Sequence, residues 1–167
     1  MKFFITLVLL ISAVAASAQN DSIQPAYKRF PTYPPLQILL GDSTTKYTKD
    51  NLVKKKPVLV MVFSPDCEHC QHEAEEMVKY KDEIKDFQIV MVTFQPLWKM
   101  NAFVEKYQLN TVPNVVVGKD IYYLLTGFYE MKNLPFVALY NKKGDLITVS
   151  EGALGIRKIA KILKENN

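Results

Sequence analysis

Residues 64–73 read SPDCEHCQHE and hold both cysteines and both histidines of the 167-residue chain. Cys67, His69, Cys70 and His72 are the side chains best equipped for chemistry, and their spacing admits four readings. The first is a structural disulfide. A bridge closing so short a loop stabilises by only about 2 kcal/mol in the chain-entropy model and ties nothing distant together. The second is a reactive dithiol. One thiolate attacks a disulfide, and a second thiol one helical turn away resolves the mixed disulfide. A cysteine at the first turn of a helix meets unpaired N–H groups and the positive end of the dipole, which favour thiolate over thiol. The third is a metal site, a copper or zinc carrier using Cys67, Cys70 and His69 or His72. On one helix, positions 67 and 70 share a face while 69 and 72 are rotated away by about 200°. Four ligands would converge only around a distorted first turn. The fourth, covalent haem attachment, fails because Gln71 stands where a histidine must follow the second cysteine. The dithiol is the reading these arguments favour, with the metal carrier as the alternative. His69, next to Cys70, can place positive charge or a donor near the Cys67 sulfur, whereas His72 reads as an exposed helix residue.

A reactive dithiol needs a rigid element to deliver it. PVLVMVF (residues 57–63) is apolar at every position, as a strand covered on both faces is. From Cys67 the period changes: Cys70, Ala74, Met77, Lys81 and Ile84 recur at three or four residues, which is helical, with Pro65 and Asp66 as entry residues. QIVMVTF (residues 88–94) repeats the buried-strand pattern. WKMNAFVEKY (98–107) and residues 120–125 read as helices on either side of a short NVVV segment. FVALY, the turn Asn141-Lys142-Lys143-Gly144 and DLITV form a hairpin, and a helix is expected over 155–165. Upstream, residues 36–40 and 44–48 form two short strands about a Gly41-Asp42-Ser43 turn. This order implies an α/β fold with a mixed sheet between helices.

The first eighteen residues have another purpose. Lys2 is followed by an apolar or small run from Phe3 to Ala16, and Ala16-Ser17-Ala18 fits the small-x-small cleavage rule. The run is shorter than the about 20 residues that span a bilayer. Residues 1–18 are therefore expected to be a signal peptide removed near Ala18, giving an exported protein, periplasmic or secreted. Residues 19–35, rich in proline and tyrosine, read as an extended leader, and 36–167 as one domain. Formal net charge is +4, with 21 basic against 17 acidic side chains. Only Arg29 and Arg157 are arginines, and the Lys54-Lys55-Lys56 run has no interleaved aromatics, so nucleic-acid binding is not supported.

The succession of PVLVMVF, SPDCEHC, a helix, QIVMVTF and the late LPFVALYNKKGDLITV resembles the thioredoxin superfamily. With the export signal and the added N-terminal hairpin it is most similar to the TlpA/ResA-like thiol–disulfide oxidoreductases, over residues 36–163. The resemblance implies a thioredoxin-like fold with a helical insertion at about 96–133, whose core Trp98, Tyr107, Tyr122, Tyr123, Phe128 and Tyr129 would form. It implies that Cys67 attacks, that Cys70 resolves, and that the two form the redox disulfide. Pro135 would be a cis-proline facing the dithiol, preferred to Pro113, and Leu134 would offer backbone groups to an extended substrate, with Glu68 and His69 between the cysteines also facing it. Glu73 matches an acidic residue that ResA-like proteins carry near the thiols. It would take a proton from Cys70, as the buried aspartate of thioredoxins proper is replaced here by Met61. A glutamate on a solvated helix face is the competing reading. The tryptophan usual before the motif and the glycines common before the cis-proline are missing, so substrate recognition does not carry over.

Peroxiredoxins also place a Ser or Thr three residues before the reactive cysteine, where Ser64 stands. Val60 occupies their proline position, and no arginine lies between Arg29 and Arg157 to polarise a peroxide. The expected function is exchange of disulfides with protein substrates, in the reductive direction. No cofactor is expected. A separate redox partner protein, free or in the membrane, would regenerate the dithiol, because the rest of the chain has no cysteine.

Overall fold

The computed structural model describes residues 24–166; the expected signal peptide lies outside them. The all-apolar stretches become the centre of a sheet. Strand β3 spans Val58–Val62, β4 Gln88–Thr93 and β6 Phe136–Tyr140, and every one of their residues is buried. Around them lie β1 (Gln37–Leu40), β2 (Lys46–Thr48), β5 (Val115–Lys119) and β7 (Leu146–Glu151). Together they make one seven-stranded mixed sheet in the order β2-β1-β5-β4-β3-β6-β7. β3, β4 and β5 are parallel, whereas β6 runs antiparallel to β3.

Alternation along β3 builds two cores, because successive side chains of a strand face opposite ways. Leu59, Met61 and Phe63 meet the helices α2 (Glu68–Lys79), α3 (Leu97–Lys106) and α5 (Ile156–Glu165). Val58, Val60 and Val62 meet a thinner layer that includes Leu125 and Tyr129 of α4 (Leu124–Tyr129). Each such fully buried side chain contributes about 1.5–3 kcal/mol of transfer free energy. α2 and α3 both cross on the first face, so the chain steps β3, β4, β5 in one direction before α4 returns it over the other face to β6.

The described part of the leader, residues 24–35, lies against this second face. A short helix, α1 (Ala26–Arg29), places Tyr27 with its ring centroid 6.0 Å from that of Tyr129. Thr32 bridges to Asp145, and Tyr33 packs at 5.0 Å on Tyr140. Beneath it the hydroxyls of Tyr129 and Tyr140 share a buried hydrogen bond of 2.6 Å.

Several expectations need correction. The second hairpin strand is shorter than 44–48, because Asp42 accepts hydrogen bonds from the backbone of Thr44 and Thr45 and holds them in the turn. The helical period that the sequence carries to Ile84 stops as a helix at Lys79. The helix expected at 120–125 begins only at Leu124. Asp120 is buried ahead of it, and its carboxylate accepts from the N–H groups of Tyr122 and Leu125. The NVVV segment is a full strand, β5, lying between β4 and β1, so the 96–133 insertion contributes to the sheet as well as to the helices. Of the six aromatics assigned to its core, Tyr107 and Tyr129 are buried and Phe128 is half-buried, but Trp98, Tyr122 and Tyr123 are exposed.

Candidate functional site

Parallel strands finish at the same end of a sheet, and the loops that follow β3, β4 and β5 meet there. Antiparallel β6 starts at that end. This is why Cys67, just after β3, and Pro135, just before β6, come together although 68 positions separate them in the sequence. β3 delivers the chain through Ser64-Pro65-Asp66, and the Gln71 side-chain amide donates to the Pro65 carbonyl at 2.9 Å, closing the loop over the helix start.

Cys67 is the N-cap residue of α2, with extended backbone angles. Its Sγ accepts the Cys70 N–H at 3.3 Å, as a serine or aspartate oxygen does at other helix starts. The same Sγ donates to the Leu134 carbonyl at 3.7 Å. The Leu134–Pro135 peptide bond is cis, and among the described residues this is where a cis bond is found, not at Pro113. Both cysteines are thiols, Cys67 half-buried and Cys70 fully buried. Burial pushes the Cys70 thiol far up, helped by its contact with Cys67 and by the nearby charge of Glu73.

Glu73 does not lie on a solvated helix face: its exposure is 0%. It follows Cys70 by one turn on the same helix face, where such neighbours have Cβ atoms about 5–6 Å apart. Its Oε1 accepts from the N–H groups of Leu154 at 2.9 Å and Gly155 at 2.8 Å, at the start of α5. Gly155 sits at φ +77°, a backbone region that an L side chain rarely adopts. Oε2 is buried and without a hydrogen-bond partner. Desolvation raises the Glu73 carboxyl, with the two backbone bonds opposing it. One turn on, Glu76 Oε2 accepts the Ile156 N–H at 2.8 Å. Two carboxylates of the dithiol helix thus cap the first turn of α5, a role that charge pattern alone did not suggest. The spacing held the signal, since 70, 73 and 77 lie on one face with Ala74.

The remaining candidates divide. Leu134 packs beside Cys67, and Met61 lies buried in β3 under the loop. Glu68, His69 and His72 are exposed. His72 lies 4.0 Å from Glu75 and 3.9 Å from Glu76, away from the thiols. No group of three or more His, Cys, Asp or Glu side chains among the described residues is arranged to hold a metal ion. Arg157 pairs with Glu83 at 3.3 Å, and Arg29 lies over Phe30, so each is engaged elsewhere. No helix among the described residues is long and apolar enough to cross a membrane.

Comparison with known proteins fits this geometry. A profile of the AhpC/TSA family matches residues 34–149. No curated protein sequence matches significantly. Among solved structures, a secreted Mycobacterium tuberculosis disulfide oxidoreductase homologous to E. coli DsbE superposes with a TM-score of 0.65 at 17% identity, over 78% of this chain and 96% of that one. A thioredoxin-family thiol:disulfide interchange protein from Chlorobium tepidum gives 0.67 at 16% identity, over 86% and 97%. StoA from Bacillus subtilis gives 0.58 at 16%, over 77% and 96%. At these identities the structures establish the shared fold. With the profile covering most of the chain, the protein belongs to the AhpC/TSA family and carries the thioredoxin-like fold of the thioredoxin superfamily.

Proposed function

We propose that the protein is an exported thiol–disulfide oxidoreductase that reduces disulfides in protein substrates. The observation that carries this reading is the asymmetry of the two sulfurs. Cys67 is reachable and sits at a helix start, 3.3 Å from the Cys70 N–H, while Cys70 is sealed behind it. Thiol–disulfide exchange needs that division between a sulfur that meets the substrate and one that acts only once the first is engaged.

In the proposed cycle the Cys67 thiolate attacks one sulfur of a substrate disulfide. The Cys67–substrate bond forms, the substrate S–S bond breaks, and the other substrate sulfur leaves as thiolate. Cys70 then gives up its proton and attacks Cys67 Sγ. The 67–70 bridge forms, the mixed disulfide breaks, and the substrate leaves carrying two electrons and, with protons taken up, two thiols. Glu73 receives the Cys70 proton on Oε2, the carboxylate oxygen left without a partner. A buried carboxyl holds a proton more firmly than an exposed one, which brings it closer to balance with a thiol. The Leu134 carbonyl, 3.7 Å from Cys67 Sγ, marks the backbone against which an extended substrate lies, with Glu68 and His69 facing it from the helix start.

The 67–70 bridge must be reduced again by a dithiol protein, because the chain's two cysteines are both spent in it. The N-terminal pattern supports export, as does the secreted character of the Mycobacterium tuberculosis structural relative. Reduction is the proposed direction, and the reduction potential of the 67–70 couple tests it. The test is reduction of insulin disulfides under a dithiol reductant. Cys70→Ser should accumulate a mixed disulfide through Cys67, and Cys67→Ser should trap nothing. Equal trapping by both variants would overturn the assignment of roles.

A further inference from the structure

The indole of Trp98 is 68% exposed, the largest exposure of any big apolar side chain in the described residues. It is also the chain's one tryptophan. An exposed tryptophan contributes little to folding, and such residues are over-represented where proteins bind others. Its place in the fold is the dithiol end of the sheet: Trp98 opens α3 just after β4, beside the loop that leads into Cys67. There it borders a cavity of about 230 Å³ whose walls include Pro65, Asp66, Ala102, Phe103 and Tyr107. Pro65 and Asp66 are the residues directly before Cys67, so the cavity borders the loop that carries the reactive sulfur.

The floor of this cavity is rigid. Phe103 and Tyr107 are buried and pack at 4.7 Å centroid to centroid, with Phe63 4.8 Å from Phe103 on the other side. The Lys99 ammonium bonds Asp66 at 2.7 Å, pinning α3 to the loop before the dithiol. Lys106, over the Tyr107 ring at 4.9 Å, is a second cation at the rim. The volume is below the about 300–1,000 Å³ of small-molecule sites but suits one side chain. An apolar floor with a lysine at its edge matches an apolar side chain with an acidic neighbour.

We infer that this cavity is a specificity subsite: it takes one apolar side chain from the disulfide-bearing polypeptide, close in sequence to the cysteine attacked by Cys67, and Trp98 closes over that side chain. The inference rests on the proposed reductase reading for its kinetic consequence but not for binding. It supplies a contact on the β4 side of Cys67, opposite the Leu134–Pro135 side, in a chain that lacks a tryptophan before the motif.

The test uses the full chain and two pairs of short peptides. Within each pair one peptide has phenylalanine and the other glycine near the cysteine position. In one pair that cysteine carries a disulfide; in the other serine replaces it, so the pair cannot react. Trp98 emission should shift to the blue with the non-reactive phenylalanine peptide and not with its glycine counterpart. Among disulfide peptides, phenylalanine should lower KM about tenfold. Trp98→Ala should abolish that preference, and Trp98→Phe should restore most of it. Ala102→Gln, an exposed change that fills the cavity, should abolish the preference independently. A fluorescence shift without any disulfide reduction would leave the subsite standing and remove the reductase reading. Reduction with no fluorescence shift, and the same KM for both peptides, would overturn the subsite alone.

Discussion

Replacing Glu73 tests the coupling between the dithiol helix and α5. In Glu73→Ala the N–H groups of Leu154 and Gly155, bonded at 2.9 and 2.8 Å in the native protein, lose their acceptor. A buried donor left unpaired costs about 1–3 kcal/mol. Two such losses are offset in part, because the variant no longer buries a carboxylate with one oxygen unpartnered. The net expectation is about 2–4 kcal/mol, or a Tm lowered by about 5–15 °C for a chain of this size. Glu73→Gln keeps a carbonyl oxygen for both N–H groups and should cost about 1 kcal/mol at neutral pH. The two forms also differ in pH dependence. Burial raises the Glu73 carboxyl above the ordinary 4.5, so above that value the native state keeps a proton the unfolded chain has released. Stability from this group is fully present below about 4.5 and is lost as pH rises through the raised native value. The gap between wild type and Glu73→Gln should therefore shift against wild type as pH rises from 4.5 toward neutrality. Urea unfolding across that range measures it. An alanine variant within about 0.5 kcal/mol of wild type, or a gap moving the other way, would refute the reasoning.

Two further outcomes follow from burial. In the native reduced protein a neutral alkylating agent should modify Cys67 at least about tenfold faster than Cys70, because thiolate character and access both govern the rate; in denaturant the two should react alike, and comparable native rates would contradict the asymmetry. Tyr129→Phe and Tyr140→Phe should each cost about 1–3 kcal/mol by stranding the other hydroxyl of the 2.6 Å pair, and the double variant should cost less than their sum. Denaturant unfolding of the three variants checks this, and strict additivity would exclude the coupling.

How far the fold could be read from the chain depended on how local each signal was. β3, β4 and β6 were legible because a strand covered on both faces carries few polar positions: β3 has none, β4 has Gln88 and Thr93 at its two ends, and β6 has the hydroxyl of Tyr140. The Cys67 and Cys70 positions at a helix start were legible from the change of period after Phe63. The helix at 124–129 was misplaced because an aspartate before an apolar run reads equally as a cap or as a first-turn residue. Only the bonds from Tyr122 and Leu125 show that Asp120 stands outside the helix. The burial of Glu73 depended on α5, about 80 positions away, supplying donors. Trp98 was assigned to a core because apolar type was taken for burial. What placed it outside was the orientation of α3, which turns Met100 and Phe103 inward and leaves position 98 to solvent.

The most direct measurement is the reduction potential of the 67–70 couple, taken by equilibrium against glutathione or thioredoxin buffers. A reversible two-electron couple at about −270 to −200 mV, between the thioredoxin and glutaredoxin ranges, is the expected result. A potential near about −120 mV would mark an oxidant, and one below about −300 mV a structural bridge; either would contradict a reductase built on an accessible Cys67 and a sealed Cys70.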